Sequence, residues 1–438
     1  MLFGQLGFIK VDLLSLGILT AISKSLALIK QHYGQDWTLG TMPPDDPRVY
    51  DMISLSDTIG VFQVESRAQM TMLPKLKPRN FYDLAIQIAL ARPGPMQGGL
   101  VNPYILRRQG KQKFDYPSEE VRQTLERTLG IAVFQEQAMK LAIVCAGFTP
   151  DEANLMRKCM SRMKRVDEDV VAWQAKLVNG MLARGYTQEF ADECCRCFQS
   201  FTSYGFPESH SASFAHLVYA SAWIKCHYHD AFTCGMLNSL PMGFYLPSQL
   251  EQDARKAGVS VRPIDINHSD WDCTLEEKVG KFHALRLGMR NIKGLSESDA
   301  RQIAEKRGNG YPDIAAIRQR TNVSKRTLET LAKADAFRSI GLDRRQALWY
   351  IQGLSASLLQ IFGKQKEEGI QEDRLALPKM SDAEHVIHDY RTMSLSLKGH
   401  PVNFIRDRLD DWDVVKVSDL RHAPRNKYIR VAGITTHR

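Results

Sequence analysis

The long helical stretch that decides the fold has its clearest helix start at Thr149-Pro150-Asp151-Glu152. Threonine suits the N-cap position, proline is favoured at the first helical position, and the glutamate completes a capping box. On both sides of this start, from residue 49 to about residue 243, apolar residues recur almost continuously at helical spacing. The sequence therefore predicts a mainly α-helical protein.

The helix that follows this start is unusually basic. It carries five cations within nine residues, namely Arg157, Lys158, Arg162, Lys164 and Arg165. Two helical turns need fewer charges than this for solubility. A phosphate-binding face and an ordinary solvated face explain the pattern equally well.

Composition favours a folded, multidomain chain with an acidic partner. The chain has 438 residues, which predicts two to four domains, and its 44% hydrophobic content argues against global disorder. Lys and Arg outnumber Asp and Glu by 58 to 49, which gives a formal net charge of +9. Such a balance suits a polyanion such as nucleic acid, although many proteins without such a partner are mildly basic.

The sequence shows neither a secretory signal nor a run of about 18 apolar residues that could span a membrane. Eight cysteines are scattered along the chain, as is typical of reduced thiols in a cytoplasmic protein. Cys194, Cys195 and Cys197 lack the spacing of a zinc site, so we interpret them as buried structural residues. We therefore expect a cytoplasmic location and no membrane partner.

Two charged residues near the start of the sequence share one face of a predicted strand. The alternation over residues 8–13 places Lys10 and Asp12 together, opposite the apolar side chains. A helix follows with apolar residues up to Ile29, and Gly34 is its predicted end. The residues alone favour a surface salt bridge for this charged pair, with a functional site as the alternative.

A second candidate site is the turn at residues 203–211, which contains Gly205, Pro207 and His210. We predict that it opens onto a helix over residues 212–223. Because helix amino termini attract anions, His210 could bind a phosphate oxygen, or it could simply cap the helix.

A third candidate is a glycine-containing turn before a predicted helix over residues 297–307. It is similar to a helix-hairpin-helix turn, whose backbone amides bind DNA phosphates without reading sequence. A plain helical hairpin in a core is the alternative. The residues of this turn are Ile292, Lys293, Gly294, Leu295 and Ser296.

The last part of the chain changes character. Residues 364–379 are charged and contain Gly and Pro, which predicts a linker, and short apolar alternations after Val414 predict strands, one of them at residues 429–434. Two strands alone are marginally stable, so these strands are expected to begin a larger β-domain that the chain only starts.

Several of these segments, in the same order along the chain, resemble the bacterial C-family DNA polymerases, the polymerase III alpha subunits. The palm-like segment is Ile9-Lys10-Val11-Asp12-Leu13-Leu14. The fingers-like segments are Gly60-Val61-Phe62-Gln63-Val64-Glu65-Ser66, Ala91-Arg92-Pro93-Gly94-Pro95, Phe134-Gln135-Glu136-Gln137-Ala138-Met139, Tyr204-Gly205-Phe206 and Ser209-His210-Ser211.

The error-prone, damage-tolerant type within this family is the better match. The segments similar to it are residues 11–17, 238–245 and 267–274. The resemblance implies the carboxy-terminal part of such a polymerase, without the PHP domain and without the palm segment that carries the paired aspartates.

The resemblance also implies a domain order. We expect a partial α/β palm at 1–35, large helical fingers at 36–275 and a helix-hairpin-helix region at 276–355. A clamp-binding region and linker at 356–395 and a truncated OB-fold at 396–438 complete the expected order.

In this family, three aspartates hold two Mg²⁺ ions for nucleotidyl transfer. Asp12 matches the third aspartate, a metal ligand, and Lys10 matches a lysine near the incoming triphosphate. Because one carboxylate cannot hold two metal ions, we expect the chain alone to be inactive or nearly so.

Other expected roles follow from the same resemblance. Arg92, Arg157, Lys158 and His210 would face a deoxynucleoside triphosphate, and the turn at residues 292–296 would hold primer–template DNA. A sliding clamp would bind Leu359, Gln360, Ile361 and Phe362, unless these residues end a packed helix. Accessory translesion proteins are further expected partners.

Two functions remain open from the sequence. One is part of an error-prone DNA-directed DNA polymerase acting in replication, translesion synthesis and the damage response. The alternative is a non-catalytic module that binds DNA and the clamp.

Overall fold

The structure is a computed structural model that describes residues 17–92, 99–162, 168–200, 207–242, 245–353, 377–424 and 426–433. Residues 25–228 form one compact unit, here called the helical unit. The described residues outside that range form a second one, the mixed unit. The predicted strand at residues 8–13 and most of the predicted linker lie outside the described residues.

Eleven helices in the described chain build the helical unit, and the first of them begins in the mixed unit. They are α1 Gly17–Tyr33, α2 Pro47–Ser54, α3 Arg67–Leu76, α4 Phe81–Leu90, α5 Val101–Arg108, α6 Glu119–Leu125, α7 Gln135–Ala146, α8 Pro150–Arg162, α9 Glu168–Ala183, α10 Gln188–Ser200 and α11 Glu208–His227. The predicted mainly helical fold is confirmed. So is the predicted end of the first helix, since Gly34 has a φ of +67° directly after α1.

The predicted capping box at the start of α8 is also confirmed. The Thr149 N–H donates to the Glu152 carboxylate at 3.0 Å, and the Glu152 N–H donates to the Thr149 hydroxyl at 3.2 Å. Helices α6 to α10 then enclose one apolar cluster that includes Leu141, Phe148 and Leu177. The cap therefore fixes the direction in which α8 enters this core.

The long helix α11 is the centre of the other half of the helical unit. It begins at Glu208 rather than at the predicted residue 212, and it ends at His227. Pro207 supplies an extended residue at the N-cap, and Glu136 accepts the N–H of Glu208 at 3.0 Å. Neither the extended proline nor the hydrogen bond to Glu136 belongs to the apolar pattern. The pattern alone therefore predicted the helix start too late.

The mixed unit contains eight further described helices around a small sheet. The helices are α12 His229–Leu237, α13 Pro247–Lys256, α14 Glu297–Glu305, α15 Ile314–Arg320, α16 Lys325–Lys333, α17 Arg344–Gly353, α18 Asp382–Met393 and α19 Arg406–Asp411. The strands are β1 Val261–Arg262, β2 Thr274–Val279 and β3 Phe282–Arg286.

The sheet was not predicted from the sequence. Its strand order is β1-β3-β2, with β3 parallel to β1 and antiparallel to β2. A tight turn at Gly280, which has a φ of +68°, joins β2 to β3. Glu276 binds both Arg262, at 2.6 Å, and Arg286, at 2.8 Å, so one carboxylate ties all three strands together.

The described part of residues 396–433 is built of short helical turns rather than strands. The strand predicted at residues 429–434 is present there only as one isolated bridge between Val414 and Arg430. The OB-fold expected at 396–438 stays a prediction, as do the expected domain boundaries. Among the described helices, none combines the length and apolar character that a membrane crossing requires.

Candidate nucleotide and nucleic-acid sites

Part of the predicted site lies outside the described residues. This holds for Lys10 and Asp12, and for the predicted clamp-binding segment Leu359, Gln360, Ile361 and Phe362. Lys158 lies within α8, but the structure does not describe its side chain. Arg92, Arg157, His210 and the turn at residues 292–296 are described.

The segment at residues 60–66 packs against α11. The Phe62 ring stacks on Phe214 with the ring centroids 5.3 Å apart, and the Phe62 N–H donates to the Ser221 hydroxyl at 3.2 Å. Deeper along the same helix, the Lys225 ammonium donates to the Ile59 carbonyl at 3.1 Å. Three contacts along α11 therefore hold this segment, and the residue just before it, against the helix.

The second fingers-like segment contains Arg92, whose positive charge acts on His210. Arg92 follows α4, and α4 is tied to α11 by the buried Ser211 hydroxyl, which donates to the Ala85 carbonyl at 2.5 Å. Burial, and then the positive charge of Arg92, lower the pKa of His210 below its usual value. Both effects favour the neutral form of the imidazole.

The third fingers-like segment meets the amino terminus of α11. Glu136, in the first turn of α7, accepts the N–H of Glu208, so this amide is not free to bind an anion. The Tyr82 hydroxyl donates to the Glu208 carboxylate at 2.7 Å, and the Arg127 guanidinium lies 3.6 Å from the centre of the Tyr82 ring. Burial, and then Glu208, raise the pKa of Tyr82.

Three segments that are far apart in the sequence therefore converge on one helix. At the first residue of α11, Glu208 binds the Tyr82 hydroxyl through its carboxylate and the Glu136 carboxylate through its N–H. We call these three residues the acidic start of α11. Glu136 and Glu208 were predicted only as parts of a motif and of a turn, and Tyr82 and Arg127 were not predicted at all. Nothing in the sequence around Tyr82 indicates that its hydroxyl binds Glu208.

None of the described hydrogen bonds of Arg157 reaches Arg92, His210 or the acidic start of α11. Its guanidinium donates to the Asn154 side chain in the preceding turn of α8, at 2.9 and 3.2 Å. The charge of Arg92 thus acts on His210, whereas the described hydrogen bonds of Arg157 lie within its own helix.

The turn at residues 292–296 has the backbone geometry that its glycine suggested. Gly294 has a φ of +78°, a conformation that L side chains rarely adopt. Ile292 and Leu295 are buried in the mixed unit, while Lys293, Gly294 and Ser296 are exposed. The turn therefore presents its backbone to solvent and anchors itself by two apolar side chains.

Not every amide of this turn is free for a ligand. The Lys293 N–H donates to the Thr392 carbonyl at 2.9 Å, whereas the N–H groups of Gly294 and Ser296 have no acceptor within the described part of the chain. The helix that follows, α14, carries Glu297 and Asp299 in its first turn. These carboxylates weaken its attraction for phosphate.

A second turn, before α16, has the more favourable charge. Ser324 caps this helix, with its hydroxyl accepting the Thr327 N–H at 3.1 Å, and Lys325 and Arg326 occupy the first two helical positions. The cations of this helix were not part of the predicted site. The run Ser324-Lys325-Arg326 was the pattern that could have revealed them.

Both turns border one open groove of about 560 Å³. Five of its lining residues are cations and one is an acid. The lining consists of Lys293, Gly294, Lys325, Arg326, Glu329, Thr330, Lys333, Arg391 and Thr392. We call it the basic groove.

No group of three or more potential metal ligands is gathered among the described residues. Because Asp12 is not described, a Mg²⁺ site stays a prediction. Cys194 and Cys195 are buried free thiols, and burial raises the pKa of Cys195. Their predicted burial is confirmed, and the side chain of Cys197 is not described.

Comparison with known families gives two matches. Residues 18–185 match the bacterial DNA polymerase III alpha subunit finger domain. Residues 258–347 match a helix-hairpin-helix motif. The first range ends before α11, and the second contains both turns that border the basic groove.

Similar curated proteins are called error-prone DNA polymerase. Those of Sinorhizobium medicae and Mesorhizobium japonicum are 47% identical over 98% and 97% of this chain, and that of Methylococcus capsulatus is 47% identical over 99%. The chain spans 41%, 41% and 43% of the lengths of these three relatives.

Proposed function

Since the chain belongs to the bacterial DNA polymerase III alpha subunit family, we propose that it forms part of an error-prone DNA-directed DNA polymerase. The observation that carries this proposal is the convergence of three fingers-like segments on α11. The proposal is supported by the positive charge of Arg92, which acts on His210 at the exposed start of a long, well-anchored helix. Such an arrangement suits a polyphosphate, whose charge a fixed cation stabilises.

In the proposed reaction, the fingers bind a deoxynucleoside triphosphate and the basic groove binds primer–template DNA. Arg92 supplies a permanent positive charge, and neutral His210 can donate or accept one hydrogen bond to a phosphate oxygen or a bridging water. Arg157 and Lys158 are proposed to line the same path when substrate is bound. Lys10 and Asp12 would act on the triphosphate and on Mg²⁺.

The acidic start of α11 has a positioning role in this proposal. Glu136 and Glu208 would repel a triphosphate if they were free, but Glu136 accepts a helix N–H and Glu208 accepts the Tyr82 hydroxyl. Their negative charge is thereby engaged within the protein, which leaves Arg92 to face the ligand.

The proposed partners include a sliding clamp at Leu359, Gln360, Ile361 and Phe362, together with accessory translesion proteins. Replication, translesion synthesis and the DNA damage response in the cytoplasm are the proposed setting. The second candidate is a non-catalytic module that binds DNA and the clamp. It is favoured by the basic groove, whose five lining cations could bind DNA without any catalytic group.

Nucleotide binding is the direct test of the fingers assignment. A fluorescent deoxynucleoside triphosphate is titrated into the chain bound to primed template with Mg²⁺, and its anisotropy is recorded. Arg92→Ala should weaken binding about tenfold or more, since it removes a charge-assisted contact. The control is Arg122→Ala, which removes an exposed arginine of α6 that pairs with Glu119. Equal affinities for both variants would refute the assignment.

Primer extension tests whether the chain itself is a working polymerase. The purified chain and its Asp12→Ala variant are given a primed template, Mg²⁺ and all four nucleotides. Extension by the chain that is lost in the variant means that the chain is a working polymerase. Absence of extension, with intact DNA binding, favours the non-catalytic module or a polymerase part that needs further metal ligands.

A further inference from the structure

We propose that α18 forms a second wall of the basic groove and that Arg391 binds a phosphate of duplex DNA there. This inference rests on the proposed DNA binding and extends it to a helix outside the matched helix-hairpin-helix range, which ends at residue 347. One side of the groove comes from α16 through Lys325, Arg326 and Lys333, and the other comes from Arg391 and Thr392 at the end of α18.

The turn at residues 292–296 and α18 are joined by main-chain and side-chain contacts. The Lys293 N–H donates to the Thr392 carbonyl at 2.9 Å, and the Lys293 ammonium lies 3.4 Å from the Tyr390 carbonyl. Both acceptors flank Arg391 in the sequence. The position of the Arg391 backbone is therefore set by the same turn that presents the open amide of Gly294.

A buried ion pair holds the two walls of the groove together. The Arg344 guanidinium donates to the Asp389 carboxylate at 2.5 Å, and their side chains are 1% and 3% exposed. Arg344 also donates to the Lys333 carbonyl at 2.8 Å, at the carboxyl end of α16. One side chain thus connects a groove residue of α16 to α18, two residues before Arg391.

Further charges complete the network around Asp389. The Lys398 ammonium lies 2.7 Å from Asp335 and 3.4 Å from Asp389, and the Ser396 hydroxyl donates to Asp389 at 2.8 Å. Such a network fixes α18 in one position, since moving it would leave buried charges without partners. Asp389 is accordingly a positioning residue for Arg391.

The charge of the groove indicates a polyanion as its ligand. Within the described chain, Arg326, Lys333 and Arg391 form no ion pair, and Arg391 is exposed. Glu329, the one acid that lines the groove, accepts a hydrogen bond from Gln352 at 2.9 Å. Cations held along two fixed walls repel one another, and the phosphates of a DNA backbone relieve that repulsion.

The test measures the affinity of the full chain for a fluorescent duplex of arbitrary sequence over a series of salt concentrations. Each phosphate contact contributes about 0.9 to the slope of log affinity against log salt. Arg391→Ala should lower that slope by about one contact and weaken binding, and Arg391→Lys should restore most of the slope. The control, Arg408→Ala, removes an exposed arginine of α19 that does not line the groove, and it should leave the slope unchanged.

The positioning role has its own readout. Asp389→Asn should lower the slope as Arg391→Ala does, and the double variant should show no further loss. Should Asp389→Asn fail to fold, Ser396→Ala, which removes one hydrogen bond to the same carboxylate, takes its place with a smaller effect in the same direction. A double variant whose losses simply add would show that Asp389 does not act through Arg391.

The outcomes separate this inference from the proposed function. A duplex affinity of the unaltered chain that does not respond to salt overturns the proposed DNA binding itself. A slope that falls in Lys325→Ala but not in Arg391→Ala leaves that binding intact and overturns the role of α18.

Discussion

The ammonium of Lys225 lies 2.8 Å from the carboxylate of Asp57, and the burial of the two partners is strongly unequal. The lysine side chain is 0% exposed, whereas the aspartate side chain is 53% exposed. Lys225 belongs to α11, and Asp57 precedes the segment at residues 60–66. The pair therefore binds that segment to the helix on which the proposed nucleotide site is built.

This inequality predicts different costs for removing either partner. Asp57→Ala removes the carboxylate that pairs with a buried ammonium, so it should lower the free energy of unfolding by about 3 kcal/mol. Lys225→Met replaces the ammonium by an apolar group of similar length, and Asp57 can turn to water, so the cost should stay near 1 kcal/mol. Urea unfolding of the two variants measures both values. A larger loss for Lys225→Met would contradict this account.

Two glycines of the mixed unit should respond differently to alanine. At Gly294 an added methyl group meets no atom within 4 Å, so Gly294→Ala should cost only about 1 kcal/mol for the positive φ. At Gly288 the methyl group would overlap the backbone of Asp272, so Gly288→Ala should disrupt the mixed unit. Thermal unfolding of the two variants compares them directly, and equal melting temperatures would refute the prediction.

Glu251 should make the mixed unit less stable at neutral pH than at acidic pH. Its side chain is 1% exposed, and burial raises the pKa of Glu251 above 4.5, despite a contact with Arg255. Because the folded pKa exceeds the unfolded one, stability is full below the unfolded value and decreases as the pH rises through the folded value. Glu251→Gln should remove this decrease, which unfolding at pH 4 and pH 7 would detect. An unchanged pH dependence would show that Glu251 is not the responsible group.

Tyr82→Phe should disturb the start of α11 without creating a cavity. The variant loses only the hydroxyl that donates to Glu208, so it should cost about 1 kcal/mol. It also frees a negative charge beside the proposed triphosphate path, so nucleotide affinity should fall although no ligand contact is removed. The nucleotide titration described above provides the measurement. Tyr116→Phe, at another tyrosine of the helical unit, is the matched control and should retain the affinity.

Local chemistry allowed part of this structure to be predicted. The capping box of Thr149 and Glu152 and the helix end at Gly34 depend on neighbours in the sequence, and both are present as expected. The start of α11 was predicted four residues late, because Glu136 accepts its first amide from another helix. Interactions of that kind leave no trace in the periodicity of a single segment.

The sheet and the basic groove show the same limit. β1 has only two residues, and the turn at Gly280 was the one local feature that could have indicated a β2–β3 hairpin. Lys293, Lys333 and Arg391 are separated by long stretches of sequence, and only the folded chain brings them to one groove. Resemblance to a family located the first of these residues, but it gave no reason to join α18 to them.

The buried thiols allow the rate of local unfolding to be measured in each unit. Cys145 lies in the apolar cluster of the helical unit, and Cys234 and Cys273 are buried in the mixed unit. A thiol reagent can reach these sulfurs only when the surrounding structure opens, so the rate of modification at each one reports the local unfolding of its own unit. Mass spectrometry of the labelled peptides would then show whether DNA or a nucleotide slows the opening of one unit independently of the other.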